Sequence, residues 1–171
     1  MNSQKLDPKI AENFHIPRWQ ELPSIELYMD QVTGFVNSRI GPFFEIVGGA
    51  PLTKNMVNNY VKAKIVNAPK NKRYDRLCIA MIIVVYILKS CYETEEVGKL
   101  IQMGIRIDNT ELTYDRFCEA LERAVNAVFQ GEIHVVREHI EGRENKYLMD
   151  NFALSFACKH YVKAGFLRQQ K

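Results

Sequence analysis

At 171 residues the chain is long enough for one sizeable hydrophobic core, or for two small ones sharing an interface. Its 47% hydrophobic and 25% charged residues, with a net charge of +3, describe ordinary globular material and exclude a disordered tail. The longest apolar run, 77–88, falls short of the ~20 residues a spanning helix needs, and no signal-peptide core stands at the N-terminus, so the expectation is a cytoplasmic protein without a membrane partner.

Residues 1–23 carry Pro8, Pro17 and Pro23 and no steady period, which reads as a loosely structured arm that Trp19 can pin to the body. From Ser24 as N-cap, Ile25, Tyr28, Met29, Val32, Phe35, Val36 and Ile40 follow the three-four spacing of an amphipathic helix, stopped by Gly41-Pro42. Gly48-Gly49-Ala50-Pro51 marks a turn. Thr53 can cap the next helix, with Leu52 and Val57 as a hydrophobic staple; the helix should run to about Ala63, and Asn67-Ala68-Pro69 ends it.

Asp75 can cap the apolar run 77–89, whose Ile and Val content would also suit a buried strand; length and the lack of internal breakers favour a helix. Thr94-Glu95-Glu96 opens another helix, where acids offset the dipole, and Gly104 closes it. Thr113 caps a helix with Phe117, Leu121, Val125 and Val128 on one face, closed by Gly131. Residues 132–144 fit either a short helix or a strand. The last element, 144–166, carries Tyr147, Phe152, Phe156, Tyr161 and Phe166 on more than one face, as a core helix, a dimer helix or the wall of an effector pocket would. Six or seven helices with little strand make the expected fold all-α.

The charge is unevenly placed. Segment 52–76 holds seven Lys or Arg against Asp75 alone, a net +6 that leaves −3 for the rest of the chain. On a helix from Thr53 to Ala63, Met56, Val57, Tyr60 and Val61 share one face, while Asn55, Asn58, Asn59 and Lys62 share the other. Three asparagines in a short helix cost a few tenths to ~0.7 kcal/mol each relative to Ala. An amide can, however, pair bidentately with adenine in the major groove, and neighbouring lysines can neutralise phosphates. A solvated polar face is the alternative.

Residues 52–101 resemble the DNA-binding domain of MerR-type transcription regulators. Tyr60 stands at the end of the reading helix, and Lys64-Ile65-Val66 replaces the family's Gly-Leu-Ile step. Pro69 and Lys72-Arg73-Tyr74 resemble its proline and basic wing, 77–88 its long helix, and Cys91-Tyr92-Glu93-Thr94-Glu95-Glu96-Val97 its closing phrase. The Arg-Tyr pair before the final tyrosine is replaced by Asn58-Asn59, the wing is shortened, and Lys64 stands where a left-handed glycine cap is usual. From about Pro23 to Ile101, with I-E-L-Y-M-D-Q-V and L-T-K-x-M-x-N-N-Y-V-K, the chain more closely resembles an uncharacterised domain family of Gram-positive bacteria.

The resemblance implies an arm (1–23), a MerR-like winged helix-turn-helix domain (24–104) and a C-terminal helical region (105–171) for dimerisation or effector sensing. It implies a fold and a DNA-binding ancestry rather than a known activity; the expected function is a transcriptional regulator that binds double-stranded DNA, as a homodimer because two half-sites multiply the few base contacts of one small reader, with an effector of unknown identity. Asn55, Asn58 and Asn59 are expected at base edges or phosphates, and Lys54, Lys62, Lys64, Lys70, Lys72, Arg73 and Arg76 on the backbone; Tyr74 would pack the wing or touch phosphate. The alternative is a helical protein-interaction module that keeps the fold without DNA binding.

Nothing indicates an enzyme, a cofactor or a metal. His134 and His139 with Glu138, Glu141 and Glu144 lack the His-Glu-x-x-His spacing, and the scattered Cys78, Cys91, Cys118 and Cys158 form no C-x-x-C pair. Gly48-Gly49 is no phosphate loop, and no Gly-x-Ser-x-Gly elbow occurs.

Overall fold

A computed structural model describes residues 9–105, 110–132 and 144–167. Among them the regular structure is helical apart from one small sheet. In chain order come α1 (Lys9–Glu12), a 3-10 turn (Trp19–Glu21), β1 (Leu27–Tyr28), α2 (Met29–Ile46), α3 (Lys54–Lys62), β2 (Arg73–Tyr74), α4 (Arg76–Lys89), α5 (Thr94–Ile105), α6 (Thr110–Gln130) and α7 (Glu144–Val162), which a π turn (Lys163–Leu167) prolongs. No described helix is long and apolar enough to cross a membrane. Segment 133–143, with His134, Glu138, His139 and Glu141, lies outside the described residues.

The proline-bearing segment is not loose between Phe14 and Leu22. Phe14, Ile16 and Leu22 are buried, and polar side chains of α6 satisfy backbone groups that an extended chain cannot pair by itself. Glu122 accepts the Ile16 N–H at 2.7 Å and both terminal nitrogens of Arg18 at 2.7 and 2.6 Å. Asp115 accepts the Trp19 N–H at 2.7 Å, and the Tyr114 hydroxyl donates to Pro17 O at 2.8 Å. Trp19 stands edge-on to Tyr114, so it does pin this segment.

α2 differs from the sequence expectation at both ends. It begins at Met29 rather than after Ser24, because Leu27 and Tyr28 pair antiparallel with Tyr74 and Arg73; Gln31 Oε1 then accepts the Tyr28 N–H at 2.9 Å. It also runs through Gly41-Pro42 to Ile46. A proline inside a helix costs ~3 kcal/mol, but continuing the helix buries Phe43 and Phe44, each worth ~2 kcal/mol or more. The stop comes at Gly48, at φ 74°. There Gly49 N–H reaches Phe44 O at 2.6 Å, and a Cβ on Gly49 would sit 2.7 Å from Phe44 Cδ1.

The other helices begin and end through local chemistry. Asp75 accepts the Cys78 N–H at 2.8 Å and opens α4, whose apolar run is buried on most sides and is a helix rather than a strand. α5 is capped one residue before Thr94, where the Glu93 N–H donates to Glu96 at 2.8 Å. α6 starts at Thr110, ahead of the expected Thr113, and buries Phe117, Leu121, Val125 and Val128. Gly131, at φ 83°, ends it, with Glu132 N–H on Ala127 O at 2.7 Å.

α7 packs along α6. Phe152 and Phe156 lie in the core, whereas Phe166 is exposed. A single hydrophobic cluster runs from Ala11 to Ala164, and an apolar cavity of about 180 Å³ opens between α4, α5, α6 and α7 near Met81, Phe117 and Phe152.

His160 is buried beneath the rings of Phe156, Phe44 and Phe43 at 4.4, 5.6 and 6.2 Å. Burial, with Lys163 and Lys159 adding to it, pushes its imidazole from 6.5 down to about 4. Between these values the unfolded chain binds the proton and the folded chain does not, so this contribution is complete above pH ~6.5 and is lost as pH falls toward 4. Urea unfolding at pH 7 and pH 5 should differ by about 2 kcal/mol from this group alone. The His160→Gln variant should lack that part of the pH dependence; equal pH slopes in both proteins would contradict it.

Candidate nucleic-acid interface

The turn between α2 and α3 is fixed by one side chain. Asn37, on α2, donates to Leu52 O at 2.9 Å and accepts the Leu52 N–H at 2.8 Å. This two-way pairing holds the residue next to the cap of α3, where Thr53 Oγ1 accepts the Met56 N–H at 3.3 Å. Leu52 and Val57 are both buried, as a staple requires.

α3 is split between two environments. Val57 and Tyr60 are buried and Met56 and Val61 half-buried, whereas Asn55, Asn58, Asn59 and Lys62 are exposed. The helix ends in a left-handed cap without glycine. Lys64 sits at φ 57°, its N–H on Val61 O at 3.0 Å and the Ile65 N–H on Tyr60 O at 3.1 Å. Both bonds of the Schellman motif are present, so the helix stop forms without glycine, at the expense of a strained lysine.

Residues 70–73 form a minimal hairpin. Lys70 N–H donates to Arg73 O at 3.0 Å and Arg73 N–H to Lys70 O at 2.8 Å, with Asn71 and Lys72 at φ 50° and 63° between them. Two positive φ angles in a two-residue loop match a type I′ turn, which favours Asn followed by Gly. Asn71 fits that preference; Lys72 occupies the glycine position. β2 continues into the pairing with β1, and Tyr74 is buried in the core cluster.

The cations of the segment fall into two groups. Lys62, Lys64, Lys70 and Lys72 are exposed, and neither they nor Asn55, Asn58 and Asn59 form a side-chain hydrogen bond or salt bridge with another described residue. Lys54 is exposed but paired with Asp30 on α2. The Arg73 guanidinium lies over the Tyr28 ring, 5.0 Å from its centroid, and donates to the Tyr28 hydroxyl at 3.0 Å. Arg76 is half-buried, with Nε 3.4 Å from Pro23 O and its guanidinium 6.0 Å from the Trp19 ring. It therefore links α4 to the proline segment instead of standing free.

Sequence reasoning did not single out Asn37 or Asp30, and it placed Tyr28 on the apolar face of a helix, whereas Tyr28 lies in β1 and is exposed. Each is polar on a helix or strand that looked ordinary, and its partner lies elsewhere in the chain. Among the described residues no group of His, Cys, Asp and Glu forms a metal cluster, and all four cysteines are free.

The chain belongs to the family described as domain of unknown function DUF1836, which matches residues 17–121 and so takes in β1, α3, the 70–73 hairpin and the first half of α6. Comparison with curated proteins and with solved structures finds no match.

Lysine in the left-handed region costs about 1 kcal/mol against glycine. Lys64→Gly should therefore raise the stability of the protein by up to ~1 kcal/mol, measured as a higher urea midpoint at unchanged slope. A lower midpoint would show that the lysine side chain contributes more to folding than its backbone strain costs.

Proposed function

We propose that this protein is a DNA-binding transcriptional regulator of MerR-like winged helix-turn-helix build, acting as a homodimer. In this reading α3 enters the major groove with Asn55, Asn58 and Asn59 toward the base edges, and Lys62, Lys64, Lys70 and Lys72 neutralise phosphates on either side. The observation that carries the reading is the pair of lysines at left-handed positions, Lys64 and Lys72. Glycine would be cheaper at both, and local strain of this sort tends to persist where the side chain has work to do. Both lysines flank an amide face that no other described side chain covers by a hydrogen bond, and an unpaired ammonium beside an unpaired amide suits a phosphate beside a base pair.

The structural division of labour assists such a role. Lys54, Arg73 and Arg76 hold the reading helix, the wing and α4 to their neighbours, and the four unpaired lysines stay available. A dimer follows from the small size of the reading surface, since two half-sites multiply the few base contacts one such helix can make.

Duplex DNA binding should weaken with salt. If each of the four free lysines neutralises one phosphate, the log-log slope is about −3.6 per protomer. Lys70→Ala with Lys72→Ala should lower affinity for all sequences and flatten that slope, while Asn58→Ala should cost ~1–3 kcal/mol of discrimination at one base position. Lys64→Gly should bind DNA more weakly even though it folds more stably. Failure to retard any duplex at ~50 mM salt, a condition that favours even weak phosphate contacts, would leave the protein-interaction module as the remaining reading of the fold.

A further inference from the structure

The group that most often recognises guanine is held elsewhere on this protein. Arginine or lysine spanning guanine O6 and N7 is the commonest specific contact in the major groove. Segment 52–76 holds two arginines, and both are engaged. The Arg73 guanidinium lies over the Tyr28 ring and bonds to its hydroxyl, and Arg76 is half-buried beside Trp19 and Pro23. Lys54, the cation in the first turn of α3, is paired with Asp30. Of the unpaired lysines, Lys64, Lys70 and Lys72 come after the helix, and Lys62 is its last residue.

Amides stand where such cations would. In a helix-turn-helix the first turns of the second helix meet the base edges. α3 carries Asn55 in its first turn and Asn58 and Asn59 in its second. At about 100° per residue, Asn58 falls about 60° to one side of Asn55 and Asn59 about 40° to the other, so the three share one exposed arc. Asparagine is a poor helix former, and none of the three is offset by a side-chain bond to another described residue.

The carboxamide matches one base. Its oxygen accepts from adenine N6–H while its N–H donates to adenine N7. Guanine offers two acceptors at the same edge, so in a two-bond pairing the amide oxygen faces an acceptor whichever way the group is turned.

We infer that this surface selects duplexes with two adenines in each half-site, read through the major groove by Asn55 and by Asn58 or Asn59, and that α3 reads no guanine. Asn58 and Asn59 lie ~4.5 and ~6 Å beyond Asn55 along the helix, against ~3.4 Å per base pair. The two adenines, on either strand, are therefore at most two base-pair steps apart. The inference rests on the DNA-binding reading and adds to it which base is selected and by which atoms.

The full-length protein is mixed with a pool of random-sequence duplexes at ~50 mM salt, and the retarded duplexes are sequenced. Enriched half-sites should carry the adenine pair. Each adenine is then replaced by 7-deaza-adenine, which still pairs with thymine and leaves the minor groove unchanged but has no N7 acceptor. At one adenine the replacement should weaken the wild type at least ~5-fold and Asn55→Ala less than ~2-fold. At the other, the variant that loses its sensitivity should be Asn58→Ala or Asn59→Ala. 7-Deaza-guanine at guanines of the same duplex should change affinity less than ~2-fold.

The inference is overturned if the enriched half-sites lack the adenine pair, or if the asparagine variants remain as sensitive as the wild type. It is overturned equally if 7-deaza-adenine binds as adenine does, since groove shape is then what the protein selects, or if 7-deaza-guanine weakens binding, which would put Lys62 on a base. In each of these cases the protein still binds DNA and the regulator reading stands. Failure to retard any member of the pool overturns both.

Discussion

Phe43 is the point on which the separate stretches of this chain converge. Its ring lies 4.0 Å from Phe14 of the N-terminal segment, 6.1 Å from Phe129 of α6, 6.1 Å from Phe156 and 6.2 Å from His160 of α7. It follows directly on Gly41-Pro42, the pair that ought to end a helix. The burial that it and Phe44 gain together outweighs what proline costs the helix, and the helix is carried one further turn before Gly48 stops it. Where α2 ends decides where the turn to α3 begins, and Asn37 then fixes that turn to α2. The placing of the exposed amide face is therefore a distant result of an aromatic contact in the core.

What could be foreseen from the residues was what depends on near neighbours. The two faces of α3, the caps at Thr53 and Asp75, and the glycine stop at Gly131 each need only a few consecutive side chains, and all are present. The helix for 77–88 was open to a strand reading because a segment apolar at every position has no period. Burial of α4 on most sides explains why it needs none. The failures were non-local. Nothing near Pro17 tells that Tyr114 will accept its company, nor near Arg18 that Glu122 waits on α6. The stop at Pro42 was a correct local rule overruled by contacts far along the chain, and Ser24 lost its cap role to a two-residue strand whose partner is beyond α3.

The basic segment gains definition in the same way. In sequence it is one cluster of positive charge. In three dimensions, arginine is spent on aromatic faces and backbone oxygen, through Arg73 over Tyr28 and Arg76 beside Trp19, whereas four lysines remain solvated. The split follows the chemistry of the groups, since a planar guanidinium stacks and forks where an ammonium stays hydrated. Net charge alone cannot show it, and the resemblance to a DNA-binding pattern cannot either, because both count the cations without asking which are occupied.

The family match ends at residue 121, inside α6. Leu121 is fully buried, and the next residue, Glu122, is the one that grips Arg18 from the opposite end of the matched stretch. Val125, Val128 and Phe129, one and two turns further on, close over the same core. The boundary that sequence comparison draws therefore cuts a clasp in half. The matched stretch shares its core with residues beyond its end, so a graft of it onto another protein would have to bring the rest of α6 along.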